Sequence, residues 1–309
     1  MQWLLSKSLV KIDIKSLNKL NSIKESSDEE DKDSDYESSS EKNKSIYKVV
    51  YQGEDQESLL KSVSLLKSNK SRKLSDFKLV KHLGKGGFGA VILAKDNKNK
   101  LYAMKRVRKD KLLELDAVSG FIIERNILGE QKHPFLLSLQ YAFETDLRYY
   151  LFLEYIPGGD IYNHLKRQLN GFSLDIIWFF GCQIILALEH LHKNGYIHWD
   201  IKPENILIDS EGYLKLADFG ISKHIDNTQD ESGVFGTFEY MAPEIIEGTS
   251  FNKKFQLDWW AFGILLYELR FKKSPFKAGS TSEMQNKIIK EDVEFPKMDE
   301  PEKEQKIFK

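Results

Sequence analysis

Residues 198–207 read His-Trp-Asp-Ile-Lys-Pro-Glu-Asn-Ile-Leu and place a carboxylate, an ammonium, a proline and an amide within six positions. Pro203 fixes the backbone directly after Lys202, and the apolar run Ile206-Leu207-Ile208 follows at once. Such a stretch is a rigid loop feeding a buried strand, with polar groups held at the strand's mouth. A chain organised around it needs enough apolar sequence to enclose that strand. With 309 residues, 41% of them apolar, this one can build one domain of two lobes or two small domains.

Charge and cysteine content narrow the classes further. The net charge of −1 gives no reason to expect nucleic acid or a membrane surface as partner. A single cysteine, Cys182, excludes an internal disulfide and a zinc cage, which favours a reducing compartment. It lies in an apolar helical run and is expected in the core. No run approaches the roughly 20 apolar residues of a membrane span. The opening Met1-Gln2-Trp3-Leu4-Leu5 is too short for a signal-peptide core, and Gln2 excludes myristoylation.

Along the chain the texture changes once, near Leu74. Residues 24–44 hold nine Asp/Glu, four Lys and six Ser without one aliphatic side chain, a composition expected to stay disordered. Residues 46–51 read as a strand and 57–67 as a short amphipathic helix. From 76 onward two apolar runs flank a glycine-rich turn, the pattern of a β-hairpin. A third strand is expected at 101–107, one helix at 111–131, and strands at 136–143 and 149–155. Beyond Pro157-Gly158-Gly159 the chain is mostly helical. A long apolar helix runs from a Ser173 cap to about 193, with Gly195 as its stop. A second, at 256–270, is apolar nearly all round and should be buried. An amphipathic helix covers about 280–290.

Several motifs carry chemistry, each with a bland reading beside it. Gly84-x-Gly86-x-x-Gly89-x-Val91 suits close approach of backbone amides to phosphate oxygens, but glycine turns between strands are common. A strand rather than a helix follows it, which excludes a dinucleotide fold. Lys105 ends an apolar strand, where a lysine usually snorkels. Glu124, nineteen residues later on the helix, can pair with it and leave the ammonium directed at phosphates. Asp218-Phe219-Gly220 follows a strand, as a metal-holding carboxylate with a hinge glycine does, although such turns are frequent. Gly236-Thr237-x-x-Tyr240-Met241-Ala242-Pro243-Glu244 is much harder to reach by chance.

Taken together, residues 84 to about 296 resemble a eukaryotic protein kinase domain, in particular the AGC group (cyclic-nucleotide-dependent and ribosomal-S6-type kinases). The group signal lies in Tyr102-Ala103-Met104-Lys105, in Glu154-Tyr155-Ile156-Pro157-Gly158-Gly159-Asp160, in the 236–244 motif and in Asp258-Trp259-Trp260. The resemblance implies an α+β, bilobal fold. A five-stranded antiparallel sheet with one main helix forms the N-lobe (about 74–155), and a mostly helical C-lobe follows (about 156–309), with 1–73 as an extension. It also implies an ATP- and Mg²⁺-dependent protein serine/threonine kinase. Leu83 and the Gly84, Gly86, Gly89 turn then cover ATP, and Lys105, anchored by Glu124, meets its α- and β-phosphates. Val91, Ala103 and Leu207 sandwich the adenine, whose edge meets Glu154 and Ile156, with Leu153 as gatekeeper. Asn205 and Asp218 bind Mg²⁺, Asp200 accepts the hydroxyl proton, and Lys202 steadies the γ-phosphate. Lys202 together with Thr237 is the serine/threonine pattern. Leu128, Leu139, His198 and Phe219 stack as a spine between the lobes. Asp160 and Glu204 stand where the group places acids that meet basic residues upstream of the acceptor, so protein substrates with Arg or Lys before the target Ser/Thr are expected. A cytoplasmic or nuclear location fits this reading.

Two departures qualify the resemblance. Trp199 replaces the arginine that receives the activation-loop phosphate, and Gly233 stands where the phosphothreonine is usual, with Ser232 one residue away. The paired loss implies that Asp200 is positioned without that phosphate. The family also continues beyond Pro296 with further helices, an arginine that pairs Glu244, and a C-terminal tail. Here the charged run 298–306 leads to Lys309. This implies a C-lobe lacking its last helices and a partner surface that covers it, or a nucleotide-binding scaffold of low activity as the alternative function.

Overall fold

A computed structural model describes residues 72–227, 236–248 and 255–296. The readings for 1–71, and those for Ser232, Gly233 and 298–306, lie outside the described residues. The small lobe is a five-stranded antiparallel sheet: β1 (Phe77–Gly86), β2 (Gly89–Asp96), β3 (Leu101–Arg108), β4 (Leu139–Glu144) and β5 (Arg148–Glu154), in the order β1-β2-β3-β5-β4. Alternation along these strands gives the sheet two apolar faces. One carries an aromatic cluster in which the Phe152 ring lies 4.1 Å from Phe77 and 5.5 Å from Phe143. The other packs on the main helix and joins the core that continues into the large lobe. Register sets Val91 opposite Lys105 and Ala103 opposite Leu153. These four side chains therefore share a face, the one turned toward the large lobe.

Where one helix was expected at 111–131 there are two, α1 (Lys109–Glu114) and α2 (Val118–Glu130). Asp116, at φ 52°, turns the chain left-handed, and the Ala117 N–H closes onto the Leu112 carbonyl at 2.8 Å. That is the paired-bond helix stop that glycine usually makes. The expected strand at 136–143 also divides. Its second half is β4, while Leu137 donates its N–H to the Leu216 carbonyl at 2.9 Å and Leu216 donates to Phe135 at 2.8 Å. These residues pair with the large lobe and tie the two lobes together.

The large lobe consists of α3 (Ile161–Arg167), α4 (Leu174–Lys193), the short ladders β6 (Tyr196–Ile197) with β9 (Lys223–His224) and β7 (Ile206–Ile208) with β8 (Leu214–Leu216), then α5 (Pro243–Ile246), α6 (Gln256–Phe271) and α7 (Thr281–Lys290). By length and mean hydropathy (20 residues, 1.6) α4 alone among the described helices is apolar enough to cross a membrane, contrary to the expectation that no run comes near it. Its buried stripe, Ile177, Phe180, Ile184, Ala187, Leu188 and Leu191, lies in the core of this lobe. At Gly181 an added Cβ would lie 3.6 Å from Leu266 and from Phe262 of α6, so the two helices pack closely. Cys182 falls on the other side of α4 and is exposed, which corrects its assignment to the core. In α6 the N-terminal Asp258 is wholly buried, whereas Trp259 is 38% exposed, so this helix is not enclosed all round.

Truncating Phe152, which has no exposed surface, removes a ring from the aromatic cluster. Phe152→Ala is expected to cost about 3–5 kcal/mol and to lower the thermal unfolding midpoint of the full chain, measured by circular dichroism.

Candidate active site

Between the lobes lies a cavity of about 210 Å³, lined by residues 86–91 together with Lys105, Asp200, Lys202, Asp218 and Gly220. Its roof is the β1–β2 hairpin, which closes on Gly86 opposite Gly89. Only glycine fits at 89, because an added Cβ would lie 1.8 Å from the Arg106 carbonyl oxygen. Gly84 and Gly86 face open space. Leu83 is exposed beside them on β1.

Lys105 projects from β3 and Glu124 from α2, and Nζ meets Oε1 at 2.5 Å. Burial pushes the Glu124 carboxyl up from its ordinary range, and the Lys105 ammonium pulls it back down. The same ammonium is 3.9 Å from Asp218 Oδ1, whose side chain is 58% exposed. Asp218 sits at φ 58° and Trp199 at φ 69°, left-handed backbone that costs non-glycine residues about 1–3 kcal/mol each.

What sustains that backbone is hydrogen bonding from below. Asp258 Oδ1 accepts the Trp199 N–H at 2.8 Å, and Oδ2 accepts the His198 N–H at 2.9 Å and His192 Nε2 at 2.7 Å. His198 is fully buried, and desolvation lowers the imidazole below its ordinary value, so it is neutral. Its Nε2 donates to the Ala217 carbonyl at 3.1 Å, which leaves Nδ1 to accept the Asp200 N–H at 3.3 Å. The Phe219 ring, wholly buried, lies 5.2 Å from the His198 ring. Leu128 and Leu139 are buried in the same core as Phe219.

At the loop's centre, Asn205 Nδ2 donates to the Asp200 carbonyl at 2.8 Å and to Asp200 Oδ2 at 2.9 Å. Lys202 Nζ lies 2.6 Å from Oδ2 and 2.9 Å from Thr237 Oγ1, and the Thr237 hydroxyl donates to Asp200 Oδ1 at 3.0 Å. A carboxylate, an ammonium and an aliphatic hydroxyl thus form one bonded triangle at the cavity's edge. Asp218 and Asn205 offer hard oxygen donors there, a carboxylate and an amide carbonyl. With these two protein ligands, the set suits a cation that keeps waters and phosphates in its shell, as Mg²⁺ does.

The remaining expected residues are placed as follows. Val91 and Ala103 face the cleft from the sheet, and Leu207, half-buried on β7, forms a bridge with Asp160. The Glu154 carboxylate accepts the Ser138 N–H at 2.9 Å and lies 3.4 Å from Lys215. Ile156 packs against the main core. Asp160 caps α3, taking the Asn163 N–H at 2.8 Å and Asn163 Nδ2 at 2.7 Å, so its carboxylate already has local partners. Glu204 is exposed. Glu244 is half-buried and engaged in a polar interaction.

Two acids carry more here than the sequence reading gave them. Asp258 entered it only as part of a signature, and Glu268 did not enter it. Burial raises the Glu268 carboxyl, with Glu204 and Glu239 nearby adding to the rise, and the Tyr240 hydroxyl donates to it. The available signal was an acid within an otherwise apolar helix.

A protein kinase domain model of the family matches residues 77–308. The RAC family serine/threonine-protein kinase homolog of Dictyostelium discoideum is 39% identical over 251 residues, which is 80% of this chain and 56% of that protein. Serine/threonine-protein kinase AtPK1/AtPK6 of Arabidopsis thaliana is 41% identical over 224 residues, 72% of this chain and 47% of that protein. Ribosomal protein S6 kinase alpha-3 of Homo sapiens is 40% identical over 233 residues, 74% of this chain and 31% of that protein. The matched part is about half the length of the first two relatives and less of the third.

The Lys105–Glu124 pair needs an ionised carboxylate, and the Glu124 carboxyl is raised. As pH falls, protonation breaks the pair at a higher pH than an ordinary carboxylate would. Affinity for an adenine nucleotide, measured by fluorescence titration, is expected to weaken on the acid side. In Glu124→Gln it should be lower throughout and lack that acid-side fall.

Proposed function

Because this chain belongs to the protein kinase domain family, within its AGC group, we propose that it transfers the γ-phosphate of ATP to Ser/Thr hydroxyls of proteins. The observation that carries this reading is the Asp200 carboxylate accepting a hydrogen bond from an aliphatic hydroxyl, that of Thr237, at 3.0 Å, with the Lys202 ammonium beside it at 2.6 Å. A substrate hydroxyl bound in the same manner has its proton directed at Asp200. Its oxygen bonds to the γ-phosphorus as the bond to the departing ADP oxygen breaks, and Asp200 takes the proton. Lys202 neutralises charge on the transferring group, and Lys105, held by Glu124, meets the α- and β-phosphates. Phosphoryl transfer asks mainly for such positioning and charge compensation. Mg²⁺, held by Asp218 and Asn205, neutralises phosphate charge when bound. Val91, Ala103 and Leu207 supply apolar surface for adenine.

The purified chain of residues 1–309 is expected to phosphorylate a basic Ser/Thr peptide with ATP and Mg²⁺. Asp200→Asn should lower kcat by at least about a hundredfold while nucleotide binding persists. Wild-type chain that binds ATP without transferring phosphate identifies a nucleotide-binding scaffold instead.

The preference for basic residues before the acceptor is part of the same proposal. Its support is the group of Glu204, Glu239 and Glu268 around Tyr240. A substrate guanidinium offsets the mutual repulsion of these acids and favours the ionised form of Glu268. Glu268→Gln is expected to raise KM for an Arg-containing peptide about tenfold, with little change for a peptide lacking basic residues. Equal effects on both peptides would remove this preference.

A further inference from the structure

On the large lobe the α3–α4 loop and the end of α6 form one corner, although they lie about a hundred residues apart in sequence. Phe172 donates its N–H to the Leu269 carbonyl at 2.8 Å. Gly171, at φ +79°, approaches so closely that an added Cβ would lie 2.0 Å from the Arg270 carbonyl oxygen. Lys272 Nζ bonds the Gln168 carbonyl. The loop is therefore held in place on α6.

This corner gathers four exposed cations, Lys166 and Arg167 from the end of α3 and Lys272 and Lys273 from the end of α6. None of them forms an ion pair among the described residues. Cations at two helix C-termini also suit the helix dipoles. That accounts for Lys166, Arg167 and Lys272, but not for Lys273, which lies past the helix, nor for the residue at the tip. Leu169 is 92% exposed, the highest exposure among the large apolar side chains described.

We propose that this corner docks on an anionic lipid surface, with Leu169 entering the headgroup–acyl boundary and the four cations meeting lipid phosphates and carboxylates. A protruding apolar side chain on a corner that carries cations suits a bilayer in particular. A protein partner has to offer a pocket for Leu169, whereas a bilayer takes it without one. Neither feature is sufficient alone, since stable peripheral binding combines an apolar with a basic contribution. Each cation near an anionic surface contributes about fivefold in partitioning, and the attraction falls as salt rises. The proposal does not depend on the kinase reading, and its test does not use activity.

The full chain is mixed with sedimenting vesicles of phosphatidylcholine, with or without about one third phosphatidylserine. At low salt, binding to the anionic vesicles is expected to exceed binding to neutral ones at least tenfold, and to weaken toward about 0.15 M salt. The double variant Arg167→Glu/Lys273→Glu should lose at least tenfold. Leu169→Ser should lose at least about threefold while keeping the salt dependence. Unchanged melting temperatures establish that these exposed substitutions leave the fold intact. Equal binding to both vesicle types, or variants that bind like the parent, overturns the proposal. Binding of poly-glutamate with no vesicle binding assigns the corner to an acidic protein and overturns it as well.

Discussion

Asp258, enclosed at the first turn of α6, accepts hydrogen bonds from the backbone of His198 and Trp199 and from the ring of His192. A buried carboxylate without such donors costs several kcal/mol, and each backbone N–H left without its acceptor about 1–3 kcal/mol. Loop and helix therefore fix each other: neither group can leave without stranding the other. This mutual dependence lets Trp199 stay at φ 69°, where a bulky side chain is otherwise disfavoured.

From that anchor the order passes upward through His198. Its ring touches Phe219 and bonds Ala217, and Asp218 stands between those two residues. Asp218 in turn lies 3.9 Å from Lys105, which is tied to Glu124. The large-lobe loop and the small-lobe helix are thus connected by contacts on either side of the cleft. None of these contacts draws on the side chain at 199. The Asp258 carboxylate holds the backbone of His198 and Trp199, and the His198 imidazole holds that of Asp200.

The parts of the site legible in the sequence are those whose chemistry is local. Asp200, Lys202 and Asn205 lie on one short loop, and the structure bonds them directly. Lys105 and Glu124 were paired by the distance from a strand to its neighbouring helix, and they meet at 2.5 Å. Legibility ended where a role depends on what packs against a residue. Cys182 and Phe180 have the same local texture, yet the helix turns one outward and the other inward. Asp116 stops α1 in a left-handed turn that glycine normally makes, so the break carried no glycine to announce it. The strand at 136–143 was divided by Leu216, a partner about eighty residues away.

The two acids that local reading undervalued lie on a single rigid element. Asp258 and Glu268 are ten residues apart on α6, a rise of about 15 Å along the helix. One end of the helix holds the backbone that carries Asp200. The other presents the carboxylate bonded by Tyr240, next to Glu204 of the same catalytic loop. A hydrogen-bonded helix stretches little, so the span between the chemical step and the acidic group is set by helix geometry and not by loop conformation. On the proposed preference for basic peptides, changes that loosen α6 disturb turnover and that preference together, whereas changes at Glu268 alone act on the preference. The same helix ends at the corner that carries Lys272. The catalytic loop, the acidic group and the basic corner thus take their relative placement from one stretch of backbone, and that places a stricter demand on α6 than core packing does.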